Sequence, residues 1–558
     1  MYKNIRKFIL ASLMLLSFHT NAQLYNGYVL TSLMNTSTAT LMDTNKNTFH
    51  SWTVDAQTGY SAYLMPGGTL VRAAKATGVS FTGGPICGKI QKHDYSGTKI
   101  WDYDYSTTNY CTHHDICPMA NGNVLVIAYE RKTAAEVTAV GCTFSGEMWP
   151  DKIVEIQPTG ATTGTVVWEW HAWDHLMQNT DAAKPHYVTN MVDSPQYLNV
   201  NYKATKDWMH MNGVDYNPIL DQIAFSSHNL NEWYIIDHST TTAEAAGNTG
   251  GNSGKGGQIL FRWGNPAAYG ATGTAILNVT HDAHWIPETA PNAGRLVGFN
   301  NKGVSASQSS VDQIITPING YTYTKAAGAA YDPATYTSRH ACSGYSSNMG
   351  NSYQLPNGNQ LVCVATQSKV YEINSAGTTL WTNTFTGSVP QAFKYDSCYI
   401  FNAPPAIPVI TVGSASLSST SASTYQWYQN GVLIAGATNM TYTPTSSGVF
   451  VVRITGPTGC VYEYSKGVQY VFPDAVKEYA LADNITVYPN PTTGILHIED
   501  NNLLGKSIDV SVYDMLGHLV FKSVDSKTMD LSGLSNGTYS VMIYSEKGLV
   551  SKKIELNK

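Results

Sequence analysis

At 558 residues with a formal net charge of −6, the chain is too long for one ordinary domain and has no basic stripe, which excludes a nucleic-acid-binding face. Asp, Glu, Lys and Arg make up only 13% of it, about half the usual globular share, while 36 Tyr and 47 Gly take up the difference. Such a composition belongs to an exported, turn-rich β protein.

The N-terminus reads as a signal peptide over residues 1–22. Lys3, Arg6 and Lys7 supply the charge, Phe8 to Phe18 the apolar run, and Thr20-Asn21-Ala22 the small-residue cleavage site. The apolar run is too short to span a membrane easily, and no later segment approaches spanning length. The mature chain is expected to start at Gln23, secreted or surface-attached, with no membrane-spanning segment. Export permits disulfides. None of the eight cysteines forms a CxxC pair, which argues against a redox motif or zinc knuckle. Cys87, Cys111, Cys117 and Cys142 cluster in sequence and are the favoured bridge partners, with free buried thiols as the alternative.

From Gln23 to Asn402 one unit recurs: a Gly turn, an apolar strand, a second strand, and a Gly-containing hairpin before a terminal Trp. Asn357-Gly358-Asn359 leads to Trp381, Asn121-Gly122-Asn123 to Trp168, and Gly67-Gly68 to Trp101. Short strands with Gly turns at such a period predict an all-β fold, a six-bladed β-propeller over 23–402. Units begin near Tyr60, His114, His210, His281 and Gly350. The flanking pieces Tyr28–Trp52 and Val389–Ile400 pair to complete the sixth blade, removing exposed edges. Seven or eight blades are the next counts, and a large β-sandwich explains the repeated Trp less well.

Ala403-Pro404-Pro405-Ala406 opens a segment with a different texture, 403–475. Thr424 to Tyr428 alternates, Asn430-Gly431 is a hairpin turn, and Gly448 to Val452 is a second strand. This resembles the small immunoglobulin-like modules of secreted bacterial proteins, with Trp427 as core aromatic. Only Cys460 lies inside it, so it has no internal disulfide, and the reading is a spacer. Residues 476–558 resemble the C-terminal sorting domain of the Bacteroidetes type IX secretion pathway. The matching residues are Val487-Tyr488-Pro489-Asn490-Pro491, Gly494 to Ile498, Tyr513 to Gly517, Leu534 to Tyr539 and Lys552-Lys553-Ile554. That resemblance implies a small β-sandwich, the type IX machinery as partner, and His497 and His518 outside any site.

In four units a proline or turn follows the opening position by six residues: Pro66 after Tyr60, Ala120 after His114, Pro287 after His281, Pro356 after Gly350. Three of the five opening positions are histidines, His114, His210 and His281. Equivalent positions on inner propeller strands converge on the channel, so these three are expected at one site. Hydrogen bonding between strands is the plainer role for any one of them.

The segments Gly256 to Pro266, with Phe261-Arg262-Trp263-Gly264-Asn265-Pro266, and His281 to Pro287 resemble the bacterial arylsulfate sulfotransferase family. So do Asp207 to Asn212, Ser226-Ser227-His228-Asn229 and Leu355 to Asn359. The likeness runs from Gly27 to Asn402 and implies a six-bladed propeller. It also implies sulfuryl transfer from a small aryl sulfate donor to a phenolic acceptor through a sulfated histidine, with no cofactor and no metal. His281 holds the place of the sulfated histidine, His210 and His228 those of two further catalytic histidines, and Arg262 that of the sulfate-binding arginine. His114 and Asn212 join them as substrate-binding candidates. The family's Arg between Ser227 and His228 is missing, and Asn229 replaces its Gln.

Imidazole, neutral at its ordinary pKa of about 6.5, is a competent nucleophile. A loose in-line transition state asks for positioning and positive charge. A guanidinium can clamp sulfate oxygens, and a phenol leaving group benefits from an acid. Other motifs fail. Gly250 to Gly256 lacks the first Gly and the Ser/Thr of a phosphate loop. Asp43 to Asn47 lacks the Gly and Glu of a calcium loop. His171 and His175 lack the metalloprotease glutamate. A non-catalytic propeller that binds glycans or surface proteins and a sulfate-ester hydrolase are the competing functions.

Overall fold

The structure, a computed structural model, describes residues 23–413, 415–472, 485–500, 508–515, 518–545 and 548–558. The signal peptide expected over 1–22 and the boundary expected at 475/476 lie outside the described residues. Two compact units result: one runs to Thr443 and takes in Gly448–Tyr470, the other comprises Pro444–Ser447 and Val471–Lys558.

In the first unit, six four-stranded antiparallel sheets follow one another within residues 28–395. Five run in chain order and begin with β1 (Thr58–Leu64), β2 (Tyr110–Pro118), β3 (Met211–Asn217), β4 (Thr280–Trp285) and β5 (Asn351–Gln354), the β4 sheet reaching its last strand, Ser338–Ala341, past a separate two-stranded hairpin. The sixth joins the two ends of the stretch: β6 (Ala392–Tyr395) pairs antiparallel with Tyr28–Thr31, placing Leu30 opposite Phe393. The fold is a β-propeller.

Alternation assigns each face of a sheet to a different neighbour. In Val124–Glu130 every residue is buried. Leu125 and Ile127 pack with Ile223 and Phe225 of the following sheet. Val124, Val126 and Ala128 pack with Val71, Ala73 and Ile90 of the preceding one. The repeated Trp fastens the rims. Trp52 Nε1 donates to Asp94 O (2.9 Å), Trp101 to Thr163 O (3.0 Å), Trp168 to Thr240 Oγ1 (3.1 Å), Trp263 to Pro333 O (2.7 Å) and Trp381 to Thr44 O (2.9 Å). Each bond crosses to the next sheet, and the sheet without such a Trp uses His340 against Tyr371 OH (3.0 Å).

The six inner strands would otherwise expose unpaired N–H groups to the channel. Side chains of neighbouring inner strands satisfy them in turn. Asp115 accepts Val214 N–H (3.3 Å), Asp215 accepts Trp285 N–H (2.9 Å), and Asp282 accepts Ser352 N–H (3.3 Å). Asn351 bonds both N–H and C=O of Ala392 (2.9 and 3.0 Å). Tyr395 OH accepts Leu64 N–H (3.3 Å), and Tyr63 OH donates to Asp115 (2.8 Å), which returns the ring to its start.

Residues 410–470 form two further sheets around Trp427, which is fully buried and donates to Asn439 O (2.9 Å). This module is not a free spacer, since it belongs to the same compact unit as the propeller. A disulfide joins Cys398, in the short helix after β6, to Cys460, 62 residues on. The bridge partners expected from sequence clustering are free: Cys87, Cys111, Cys117 and Cys142 are single thiols. The first two point to backbone carbonyls, Cys87 to His114 O and Cys111 to Thr112 O, and Cys142 to Val200 O. In the second unit, two sheets enclose Leu496, Val510, Val541, Ile543 and Ile554.

Candidate active site

Four of the inner strands carry a β-bulge near their start; the one in β1, between Thr58 and Ala62, holds Tyr60, and the other three adjoin the histidines. The register slips between Thr112 and Ile116 in β2, between Met211 and Gly213 in β3, and between His281 and His284 in β4. His114 and Asp282 sit in these bulges and His210 just before that of β3, with φ of 52°, 59° and 52° respectively. Left-handed backbone at non-glycine residues costs free energy and concentrates at functional sites.

The outcome is one unbroken row of rings. Centroid separations are 5.1 Å for His113–His114, 4.6 Å for His114–His210, 5.0 Å for His210–His228 and 5.6 Å for His228–His281. His228 lies in the turn after strand Gln222–Ser227, held by its own N–H on His210 O (3.1 Å). The structure therefore brings together His114, His210, His228 and His281.

It does not bring Arg262 or Asn212 to the row. Arg262 lies on the outer strand of its sheet, 1% exposed. Its five N–H donors are consumed by Glu232, bidentately through Nε (2.9 Å) and Nη2, by Pro195 O and Tyr197 O (3.3 and 2.9 Å), and by Tyr234 OH (3.5 Å). A saturated guanidinium has nothing left for sulfate. Asn212 is likewise spent: Nδ2 donates to Thr280 O (2.7 Å) and Oδ1 accepts from Ser226 Oγ (2.6 Å), locking β3 to β4.

Each histidine of the row has an orienting partner. His281 Nδ1 meets Asn301 Oδ1 at 2.7 Å. The Asn301 amide nitrogen is spent on Ser346 O and Met349 O, so its oxygen faces the imidazole and fixes the proton on Nδ1. Nε2 is then unprotonated, and it accepts Met349 N–H at 3.0 Å. His228 Nδ1 is fixed in the same way by Asn229 Oδ1 (2.8 Å). His210 Nδ1 meets Asp207 Oδ2 at 2.6 Å. His113 Nε2 meets Asp151 Oδ1 at 2.7 Å, and its Nδ1 meets His114 Nδ1 at 2.8 Å. Tyr129 stacks on His113 at 3.7 Å and donates to Asp207 (3.2 Å).

Burial favours the neutral form of His113, His114, His228 and His281. It pushes the pKa of His281 well below the usual imidazole value, with His228 and His210 adding to the effect. Burial, then His210, does the same to His113 and His114, and takes His228 down to about 4. Burial also raises Asp151 well above the usual carboxylate range, helped by Asp207. His113 links the two ends of one chain, with Nε2 on Asp151 Oδ1 and Nδ1 on His114 Nδ1. Asp207 behaves differently: burial works to raise it, but the bond from His210 holds it below the usual range.

A cleft of about 310 Å³ opens beside His228, lined also by Lys203, Asn229 and Asn278. Lys203 is the cation of that cleft. His113, Asp151, Asp207, Asn301 and Lys203 were not singled out as site residues from the sequence. His113 and Asp207 lie next to or within the motifs that identify His114 and His210, whereas Asn301 and Lys203 give no sequence signal. Among the described residues, no group of three or more His, Cys, Asp or Glu is arranged to hold a metal. His171 is committed to Glu130 and Glu169, and His175 to Ala245 O.

Solved structures similar to the chain share about a tenth of its sequence. They include a protein of unknown function from Bacteroides caccae (10% identity, TM-score 0.37, covering 66% of this chain and 98% of that one). A streptogramin B lyase (10%, 0.32, 65% and 80%) and regucalcin, a calcium-binding protein from Agrobacterium tumefaciens (10%, 0.30, 61% and 85%), are further examples. Scores this low carry no argument. Among curated proteins none matches the sequence. A secretion system C-terminal sorting domain matches residues 486–557, which marks the protein for type IX export to the cell surface or beyond. No helix among the described residues is long and apolar enough to cross a membrane. The Arylsulfotransferase (ASST) family model matches residues 23–392, the stretch that builds the histidine row, and the chain belongs to that family.

Proposed function

We propose that the protein transfers a sulfuryl group from an aryl sulfate to a phenol through a sulfated histidine, using the row as its catalytic centre. The observation that carries this reading is the convergence of four histidines, His114, His228 and His281 with their pKa values lowered by burial, beside a cleft that holds Lys203. His281 is the nucleophile. Its Nε2 lone pair attacks sulfur, the S–O bond to the aryl group breaks, and the phenolate takes a proton from His210. A phenol acceptor returns that proton to His210 as its oxygen attacks the sulfohistidine. Lys203 supplies the positive charge that the saturated Arg262 does not. Attack requires the Met349 N–H to leave His281 Nε2 first.

One observation favours a second reading, with His228 as nucleophile: it lines the cleft, and Asn229 engages only its Nδ1. The propeller is read as residues 23–402, the immunoglobulin-like module as 403–475 and the sorting domain as 476–558.

Incubation of the full chain with an aryl sulfate, with and without a phenol, followed by peptide mass analysis, tests both readings. The expected result is turnover and a sulfuryl mass on the His281 peptide, both abolished in His281→Asn. An adduct on the His228 peptide selects the second reading. Absence of both turnover and adduct sinks the catalytic proposal and leaves a binding propeller.

A further inference from the structure

A second cavity of the first unit is lined by none of the row's histidines. It measures about 310 Å³ and is walled by Tyr399 of the propeller and by Tyr462 and Tyr464 of the immunoglobulin-like module. Asp115, Asp215 and His284 contribute its polar lining. The bulges that send His114 and His281 into the row put Asp115 and His284 into this second space.

His284 is its unexplained group. Nδ1 bonds the carbonyl oxygen of Asp282 (2.8 Å) and its carboxylate (3.1 Å), whereas Nε2 is buried with no partner. Burial opposes the charged form, but Asp282 and Asp215 push its pKa up to about 9, so Nε2 carries a proton at neutral pH. A buried, charged N–H without an acceptor costs free energy that an incoming oxygen would recover. That requirement excludes an ammonium ligand. Asp115 is already filled by Tyr63, Ile116, Val214 and Gln391, whereas Asp215, which accepts Trp285 N–H through Oδ2, keeps acceptor capacity for a donor. Adjacent hydroxyls meet both demands, each being donor and acceptor at once. Tyrosine rings offer flat apolar faces to the C–H face of a saturated ring. The volume, near the lower end of the roughly 300–1,000 Å³ of small-molecule sites, suits one such ring.

We propose that this cavity is a carbohydrate site that takes a single pyranose ring, with His284 Nε2 donating to one hydroxyl, Asp215 accepting from its neighbour, and Tyr462 and Tyr464 walling the ring. The immunoglobulin-like module thereby completes a binding site, and the Cys398–Cys460 bridge, adjacent to Tyr399 and two residues before Tyr462, holds its wall in place.

The test uses the full chain and ligand-observed saturation-transfer NMR with methyl glucoside, methyl galactoside and methyl mannoside, with benzyl alcohol as the aromatic comparator. At least one glycoside is expected to bind saturably in the millimolar range. His284→Leu and Tyr464→Ala should each weaken binding by about tenfold or more, as the loss of a charge-assisted bond or an aromatic wall implies. His281→Asn should leave binding unchanged. Circular dichroism verifies that each variant is folded, and His284→Gln stands in should His284→Leu fail. Binding of no glycoside, binding of benzyl alcohol alone, or glycoside binding that survives in the folded variants overturns the proposal. So does a glycoside-soaked crystal with the sugar elsewhere.

Discussion

A neutral imidazole is useful only while it stays neutral, and the residues of the row set the pH range over which it does. His228 falls to about 4 through burial and the field of His210, and His113, His114 and His281 are pushed well below their usual value. In an unfolded chain the same groups titrate near about 6.5. Between these values the unfolded chain binds protons that the folded chain refuses. Stability from the row is therefore complete above about 6.5 and is lost progressively as pH falls toward about 4. Two consequences differ in kind. Sulfuryl transfer by the folded enzyme should persist below pH 6.5 and fail only on approach to about 4, while the melting temperature declines across the same interval. A pH–rate profile with an acid limb at the ordinary imidazole value would contradict this, as would a flat melting curve from pH 7 to 5. His114 and His281 were legible through a six-residue spacing to a turn, and His210 as the opening residue of its own unit. Arg262 was misread for a physical reason: sequence shows its neighbour Trp263 but not that their strand lies on the rim, where Glu232 waits with a buried carboxylate.

At the scale of elements, the inner strands do two jobs with adjacent residues. In β2, His114 faces the row while Asp115 accepts a backbone N–H from β3. In β4, His281 and Asp282 divide the same tasks. The bulges make this division possible and leave no trace in the sequence beyond the paired His-Asp, since a register slip depends on partners far along the chain. The joint between β5 and β6 has no histidine and isolates the structural task. Asn351 is fully buried and satisfies both the N–H and the C=O of Ala392. Asn351→Ala should destabilise the propeller by about 1–3 kcal/mol for each group left unsatisfied. Asn351→Asp restores the acceptor alone and should fall in between. Denaturant melts of the three proteins check the order, and equal midpoints would show that the side-chain belt carries no weight.

For the whole molecule, the closing of the ring was readable because its signals are local: a strand at each end and a Trp on five of the six sheets. The placement of the module at residues 410–470 was not, because a packed interface between modules has no periodicity. The pairing of cysteines was not either, since closeness in sequence says little about closeness of sulfurs on separate strands. Cys398–Cys460 closes a loop of 62 residues that contains most of the module. Loop-closure entropy assigns such a cross-link about 4 kcal/mol through the unfolded chain. The Cys398→Ser/Cys460→Ser double variant should then lower the unfolding free energy of the first unit by a substantial part of that amount. The six remaining thiols make reduction a useful parallel, because all are free. A reductant should shift the wild type to the double variant's melting point and leave the double variant unmoved. Should the double variant melt with the wild type, the bridge contributes no stability, and the packing of the module on the propeller alone holds the two together.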